Sequence, residues 1–301
     1  MIPSLKIHSS LPAFSRLIYG AWRLADGSNP SAQDTLAIIE VCLEQGISTF
    51  DHADIYGDYR CETLFGEALK LKPSLRERMQ LISKCDIMLM SDAYPERRLK
   101  HYDTSPAHIR GSVAHTLKRL GVEQIELLLL HRPDPLMDAG QTGACLDALV
   151  QEGRVAAVGV SNFKPWDLDL LQSAMRSTLV TNQIEISLLE RSSFHDGTLA
   201  HSQRLGLPPM AWSPLAGGAV LGDGEAARRL RPALQRIAEQ HGVAPDAVAL
   251  AWLLAHPARI MPIVGTRHPQ RLARLADAFK VSIDRETWFE LWTLAAGQDV
   301  P

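Results

Sequence analysis

Asp51, Tyr56, Lys84 and His131 are the residues of this chain whose types and placing suit proton transfer. Asp51 and Tyr56 follow the apolar run Gly46–Phe50, Lys84 follows Met79–Ser83, and His131 follows Ile125–Leu130. A phenol with a free pKa of about 10 is a poor acid or base at neutral pH. A neighbouring ammonium stabilises phenolate, so Lys84 is expected to lower the pKa of Tyr56. Asp51 would keep Lys84 charged and oriented, and His131 would hydrogen-bond a substrate oxygen. Such a set suits giving a proton to a carbonyl oxygen or taking one from an alcohol. The pattern shows no serine or cysteine nucleophile beside a base, and no clustered metal ligands. Protonating a carbonyl oxygen requires a hydride for its carbon, and that points to a nicotinamide cofactor.

These residues can meet only if the segments around them place them at one spot, and the chain alternates in a way that does so. Residues 4–14 read as a β-hairpin outside the main pattern. Leu17–Gly20 is the first buried strand. Asn29-Pro30-Ser31 opens a helix with a 3.6-residue stripe at Leu36, Ile39 and Leu43, which Gly46 ends. Further strands are predicted at 47–51, 79–83, 125–130, 155–160, 179–183, 210–212 and 260–264. Helices between and after them are expected at 62–70, 105–120, 142–151, 165–175, 197–205, 225–241, 245–256, 268–278 and 285–296. Ile125–Leu130 is apolar throughout, as a strand covered on both faces should be. Eight strands alternating with helices over about 250–300 residues fit a (β/α)8 TIM barrel carrying an N-terminal β-hairpin and extra C-terminal helices. Residues 1–301 are read as one such domain. A doubly wound sheet is the rival, weakened because no GxGxxG follows the first strand. In a barrel Asp51, Lys84, His131, Asn162, Gln183, Trp212 and Gly265 would ring a single mouth.

Composition narrows the field. A net charge of -3 with no basic block argues against nucleic-acid binding. No apolar run is long enough to span a bilayer and the N-terminus lacks a signal-peptide core, so a cytoplasmic location is expected. Cys42, Cys61, Cys85 and Cys145 form no CxxC pair and read as reduced thiols.

At this level of detail the sequence resembles the aldo-keto reductases. The motifs are Asp51-His52-Ala53-Asp54-Ile55-Tyr56-Gly57, Ser83-Lys84, Leu129-Leu130-His131-Arg132-Pro133-Asp134 and Gly159-Val160-Ser161-Asn162-Phe163. Asn182-Gln183-Ile184-Glu185, Ala211-Trp212-Ser213-Pro214-Leu215 and Ile263-Val264-Gly265-Thr266-Arg267 continue the series. The His131–Asp138 stretch resembles a bacterial branch of oxidoreductases. The resemblance implies that Tyr56 is the general acid, tuned by Lys84 and Asp51, and that His131 orients the carbonyl. Ser161, Asn162 and Gln183 match positions that hold the nicotinamide carboxamide, and Trp212 matches the ring on which the nicotinamide stacks. Gly20 and Trp22 match the element beside the cofactor and the substrate pocket. Ser213, Leu215 and Gly217 fall where the pyrophosphate runs. Gly265, Thr266, Arg267 and Arg271 fall where an adenosine 2'-phosphate is bound. The implied cofactor is NADPH, since a guanidinium matches a phosphate dianion. Two departures leave NADH open: Gly265 stands where many relatives have lysine, and Arg274-Leu275 replaces the usual Glu-Asn pair.

Alternatives stay open at this stage. Asp51 alone reads more readily as a cap or turn residue, while Trp212 as core and Arg267 and Arg271 as a solvated face are the weaker readings of those residues. The connection over 86–104, with Tyr94 and Tyr102, either caps the mouth or packs outside the barrel. Besides carbonyl reduction by a monomer acting on a small molecule, a cofactor-sensing regulatory subunit and a lyase with a Schiff base on Lys84 are consistent with the pattern.

Overall fold

The computed structural model describes residues 1–27 and 30–300. The strands β1 (Ser4–Leu5) and β2 (Phe14–Ser15) form the predicted antiparallel hairpin. Eight further strands close a barrel: β3 (Ile18–Gly20), β4 (Thr49–Asp51), β5 (Gln80–Cys85), then, after the pair β6 (Ile87–Met88) and β7 (His101–Tyr102), β8 (Ile125–Leu130), β9 (Val155–Ser161), β10 (Leu179–Glu185), β11 (Met210–Trp212) and β12 (Met261–Val264). Every barrel strand is parallel to its neighbours, and spatial order follows chain order, with β12 returning to β3.

The connections follow from local sequence. Helix α1 (Ala32–Gln45) starts at Ser31, whose hydroxyl accepts from the Asp34 amide, and stops at Gly46 with φ 89°. Of the residues expected to open it, Asn29 lies outside the described residues. After β4 comes a single turn, α2 (Tyr56–Tyr59), then α3 (Cys61–Leu71). Helix α4 (Pro106–Leu120) is capped by Ser105 with proline at its first position. Helix α5 (Ala139–Gln151) begins three residues before the predicted start because the Asp138 carboxylate accepts from the Gln141 amide. The ring continues with α6 (Pro165–Ser173), α7 (Thr198–Leu205), α8 (Glu225–His241) and α9 (Pro245–Leu254).

The predicted eighth helix, 268–278, does not form in one piece. It divides into α10 (Pro269–Leu272) and a 3-10 segment, Leu275–Lys280. Its buried apolar residues, Leu272, Leu275 and Ala278, recur every third position. That spacing faces the core in a 3-10 helix, whereas an α-helix would rotate them away. Helix α11 (Arg285–Ala296) then packs on α8.

Two packing layers result. The barrel interior is filled by side chains such as Ile82, Leu127, Leu129, Val180 and Met261, and the hairpin adds Ile7, Leu11 and Phe14 to the same cluster. The Ser15 amide donates to Thr49 Oγ1, at the start of β4, at 2.9 Å, so the hairpin seals the end where strands begin. The outer faces of the strands meet the helices in a second apolar layer. The opposite end, where strands finish, carries the polar residues.

Candidate active site

Each strand end delivers one element of a polar cluster. Asp51 is the last residue of β4, and Lys84 is the penultimate residue of the neighbouring β5. Tyr56 comes from the turn after β4. That turn is tight: Gly57 has φ 59°, and a Cβ there would lie 2.5 Å from Ala25 Cβ and 2.6 Å from Cys61 Sγ. Only glycine permits the chain to fold back beside Tyr56.

Lys84 is the hub. Fully buried, its Nζ donates to Asp51 Oδ2 at 2.8 Å, to the Tyr56 hydroxyl at 2.9 Å and to the His52 carbonyl at 2.8 Å. Burial alone would push this ammonium's pKa down, but Asp51 and Tyr56 outweigh burial and hold it above the usual lysine range. An ammonium with its three protons spent on three acceptors is a poor amine nucleophile, and this argues against the Schiff-base alternative. The other oxygen of Asp51 accepts from Gln183 Nε2 at 2.8 Å.

Lys84 lowers the Tyr56 pKa, as expected, but does not set its net direction. Burial raises it most, Lys84 pulls it down, Asp51 pushes it up again, and the balance lies above the ordinary tyrosine value. The phenol therefore stays protonated at neutral pH, as a proton donor requires. The His131 ring stands edge-on to Tyr56, with centroids 6.0 Å apart. Burial, and then the charges of Lys84, Arg132 and Lys100, hold His131 well below the ordinary histidine range. It is thus a neutral imidazole. Its Nδ1 is buried and without a partner among the described residues.

A second group continues around the mouth. Asn162 Nδ2 donates to the His131 carbonyl at 3.1 Å and to Ser161 Oγ at 2.9 Å, and Asn162 Oδ1 accepts from Trp212 Nε1 at 3.0 Å. Ser161 Oγ donates to the Gln183 carbonyl at 2.8 Å. Ser161, Asn162, Gln183 and Trp212 are therefore joined to Asp51 in one hydrogen-bonded arc. Trp212 is half-buried at the rim, with the Arg132 guanidinium 5.8 Å from its ring centre. Trp22 is exposed on the turn after β3. Gly265 lies beneath it, since a Cβ there would come within 3.3 Å of the Trp22 ring and of the Gly20 carbonyl.

The loop after β11 carries Ser213, Leu215 and Gly217. Ser213 and Gly217 have φ of 49° and 65°, and Gly218 follows with φ 103°. A Cβ on either glycine would meet nothing within 4 Å, so the backbone faces open space. Such a bare glycine turn, beside a fixed indole face, fits a dinucleotide whose phosphates approach main-chain N–H groups. Thr266 and Arg267 follow β12; the Arg267 guanidinium donates to the Asp26 carbonyl and lies 3.6 Å from where a Gly27 Cβ would stand. Arg271 is exposed on α10.

Sequence reasoning missed the His52 carbonyl, which no side-chain type signals. It also assigned no task to Arg132 or Lys100, whose charges reach His131. Tyr94, on the open connection, packs on Tyr59 with ring centroids 4.8 Å apart, beside α4.

The chain matches the Aldo/keto reductase family over residues 16–294. It is 51% identical over 286 residues to a 6-dehydroglucose reductase of Agrobacterium fabrum, covering 95% of this chain and 96% of that protein. It is 42% identical over 302 residues to the oxidoreductase YdhF of Escherichia coli, with both chains covered in full. An aldo/keto reductase from Klebsiella pneumoniae, solved in complex with NADP and acetate, superposes with a TM-score of 0.77 at 25% identity, covering 96% of this chain and 93% of that one. The described residues contain no helix long and apolar enough to cross a membrane. By extent of match and closeness of relatives, the chain belongs to the aldo-keto reductase family and is an enzyme of carbonyl reduction.

Proposed function

We propose that the protein is an NADPH-dependent reductase of aldehyde and ketone carbonyls in which Tyr56 gives the proton. The observation that supports this most is the Tyr56 hydroxyl 2.9 Å from a buried Lys84 ammonium that Asp51 holds at 2.8 Å. Bound nicotinamide would supply the hydride. As a carbonyl oxygen gains negative charge, Tyr56 donates its proton, and Lys84, already hydrogen-bonded to the phenol, stabilises the phenolate left behind. The neutral His131 donates a hydrogen bond to the same oxygen and orients it. Ser161, Asn162 and Gln183 would hold the carboxamide, with Trp212 under the ring and Gly20 and Trp22 beside it. Ser213, Leu215 and Gly217 would follow the pyrophosphate. Gly265, Thr266, Arg267 and Arg271 would surround the 2'-phosphate. The whole chain acts as one catalytic domain in this reading, as a monomer in the cytoplasm.

Because the Agrobacterium relative is named a 6-dehydroglucose reductase, oxidised sugars carrying an aldehyde are the first substrates to test. The deciding experiment pairs cofactor titration, read by tryptophan fluorescence, with turnover of such aldehydes in the parent and in Tyr56→Phe. Turnover should fall by about 10²–10⁴-fold while NADPH affinity changes less than about threefold. Saturable NADPH binding with no turnover of any carbonyl by the parent would favour the regulatory reading instead.

A further inference from the structure

A cavity lies away from the mouth. It encloses about 170 Å³ between α4, the turn after β4 and the segment linking β6 to β7. Asp54, Tyr59, Arg97, His108 and Arg119 are among the residues that line it. Three polar atoms in this wall are buried without a partner among the described residues: Asp54 Oδ1, Arg97 Nε and His108 Nε2.

Each of the three can give a proton. Asp54 is buried, and its Oδ2 accepts from Ser112 Oγ at 2.7 Å. Burial lifts its carboxyl to about 7, with the Ser112 bond opposing and Glu62 assisting. With Oδ2 occupied as an acceptor, the proton of the neutral acid belongs on Oδ1. Arg97 lies 3.7 Å over the Tyr94 ring, and its Nη1 donates to the Tyr59 hydroxyl and the Leu89 carbonyl. None of the ion pairs among the described residues includes it. Burial lowers the His108 pKa, which leaves a neutral ring able to present Nε2–H. Arg119, 3.4 Å from Glu62, adds a second guanidinium to the wall.

Water alone would fill the volume with about six molecules at about 30 Å³ each. It would not balance the guanidinium of Arg97, which is partly buried and forms no ion pair among the described residues. An acceptor carrying negative charge meets both needs at once.

We propose that this cavity binds a small oxyanion, inorganic phosphate or a short carboxylate, through Arg97 and His108, with the Asp54 carboxyl as a further donor. The site is separate from the reacting centre, and its occupant would tie the β6–β7 segment to α4.

The test is calorimetric titration of the full chain with inorganic phosphate and, separately, acetate, at constant ionic strength and about pH 6. It is run with saturating NADP+, and again without cofactor on Arg267→Ser/Arg271→Ser, so that phosphate contacts elsewhere do not register. One saturable site is expected, weakened about tenfold or more by Arg97→Met. Asp54→Asn keeps a donor and cannot ionise, so it should bind at least as tightly as the parent. Tighter phosphate than acetate assigns the phosphate source, and the reverse order assigns the carboxylate. Absence of saturable heat, or binding indifferent to Arg97→Met, overturns the proposal. So does loss of binding in a folded Asp54→Asn whose Arg97→Met counterpart binds normally. Circular dichroism verifies folding, and Arg97→Met, on the partly exposed segment, decides the matter if Asp54→Asn does not fold.

Discussion

Asp51 and Asp54 stand three residues apart, at the end of β4 and on the turn after it, and both are buried. Asp51 faces the barrel mouth, where an ammonium and an amide occupy its two oxygens. Asp54 faces outward to α4, where one oxygen meets a serine hydroxyl and the other meets nothing among the described residues. Equal burial thus produces unequal chemistry. A buried carboxylate with a cation in contact belongs to an ion pair, and removing either partner strands a charge. A buried carboxyl with only a neutral donor relieves its desolvation by keeping its proton. The first arrangement sets a phenol beside an ammonium, as the proposed proton transfer needs; the second leaves a group that titrates near neutrality beside a cavity.

The sharpest way to break this comparison is Lys84→Met. It removes the counter-charge from Asp51 and the phenolate's stabiliser together. Urea unfolding should show a loss of about 3–5 kcal/mol, and turnover should drop by about 10³-fold or more. A variant unfolding within about 1 kcal/mol of the parent would mean that Asp51 does not depend on its ion pair.

Asp54→Asn tests the other side. The folded pKa of Asp54, about 7, lies above an unfolded value of about 3.9. A raised carboxyl contributes stability that is complete below the unfolded pKa and is lost as pH rises through the folded pKa. The parent should therefore lose stability between about pH 4 and about pH 8 in a way the variant does not. Linkage sets the size at about 2–4 kcal/mol in the variant's favour across that window. Glu62 and Asp86, which burial also raises, are charge-coupled to Asp54 and should titrate lower in the variant, which adds to the difference with the same sign. Parallel pH profiles from chemical unfolding would show that Asp54 ionises freely.

The smallest effect is expected of Ser112→Ala. Losing the 2.7 Å bond to Asp54 should cost about 1 kcal/mol. Because that bond favours the ionised acid, the loss should be greater at about pH 8 than at about pH 5, as paired melts would reveal.

Much of the mouth was legible in the residues. Asp51, Lys84 and His131 each follow an apolar run short enough to be a strand, and β/α alternation sends all such ends to one side. The cap at Ser105-Pro106 is an equally local signal. Partnerships across the chain were not legible. Gln183 reaches Asp51 across 132 positions, and its own strand shows no trace of that contact. The direction of the Tyr56 pKa was misjudged for a related reason. Residue types announce the charge of Lys84, but the depth of burial that outweighs it emerges only when helices and loops close over the turn. The break in the predicted eighth helix was not read from the sequence; packing against the barrel decided that a 3-10 form would bury Leu275 and Ala278.

Periodicity and strand-end chemistry, both properties of neighbouring residues, sufficed to predict a barrel and to bring Asp51, Lys84 and His131 to one mouth. Tertiary packing alone decided which buried carboxyl kept an ammonium and which kept its proton. Desolvation and charge contact depend on distances between segments far apart in the chain, and linear order does not contain those distances.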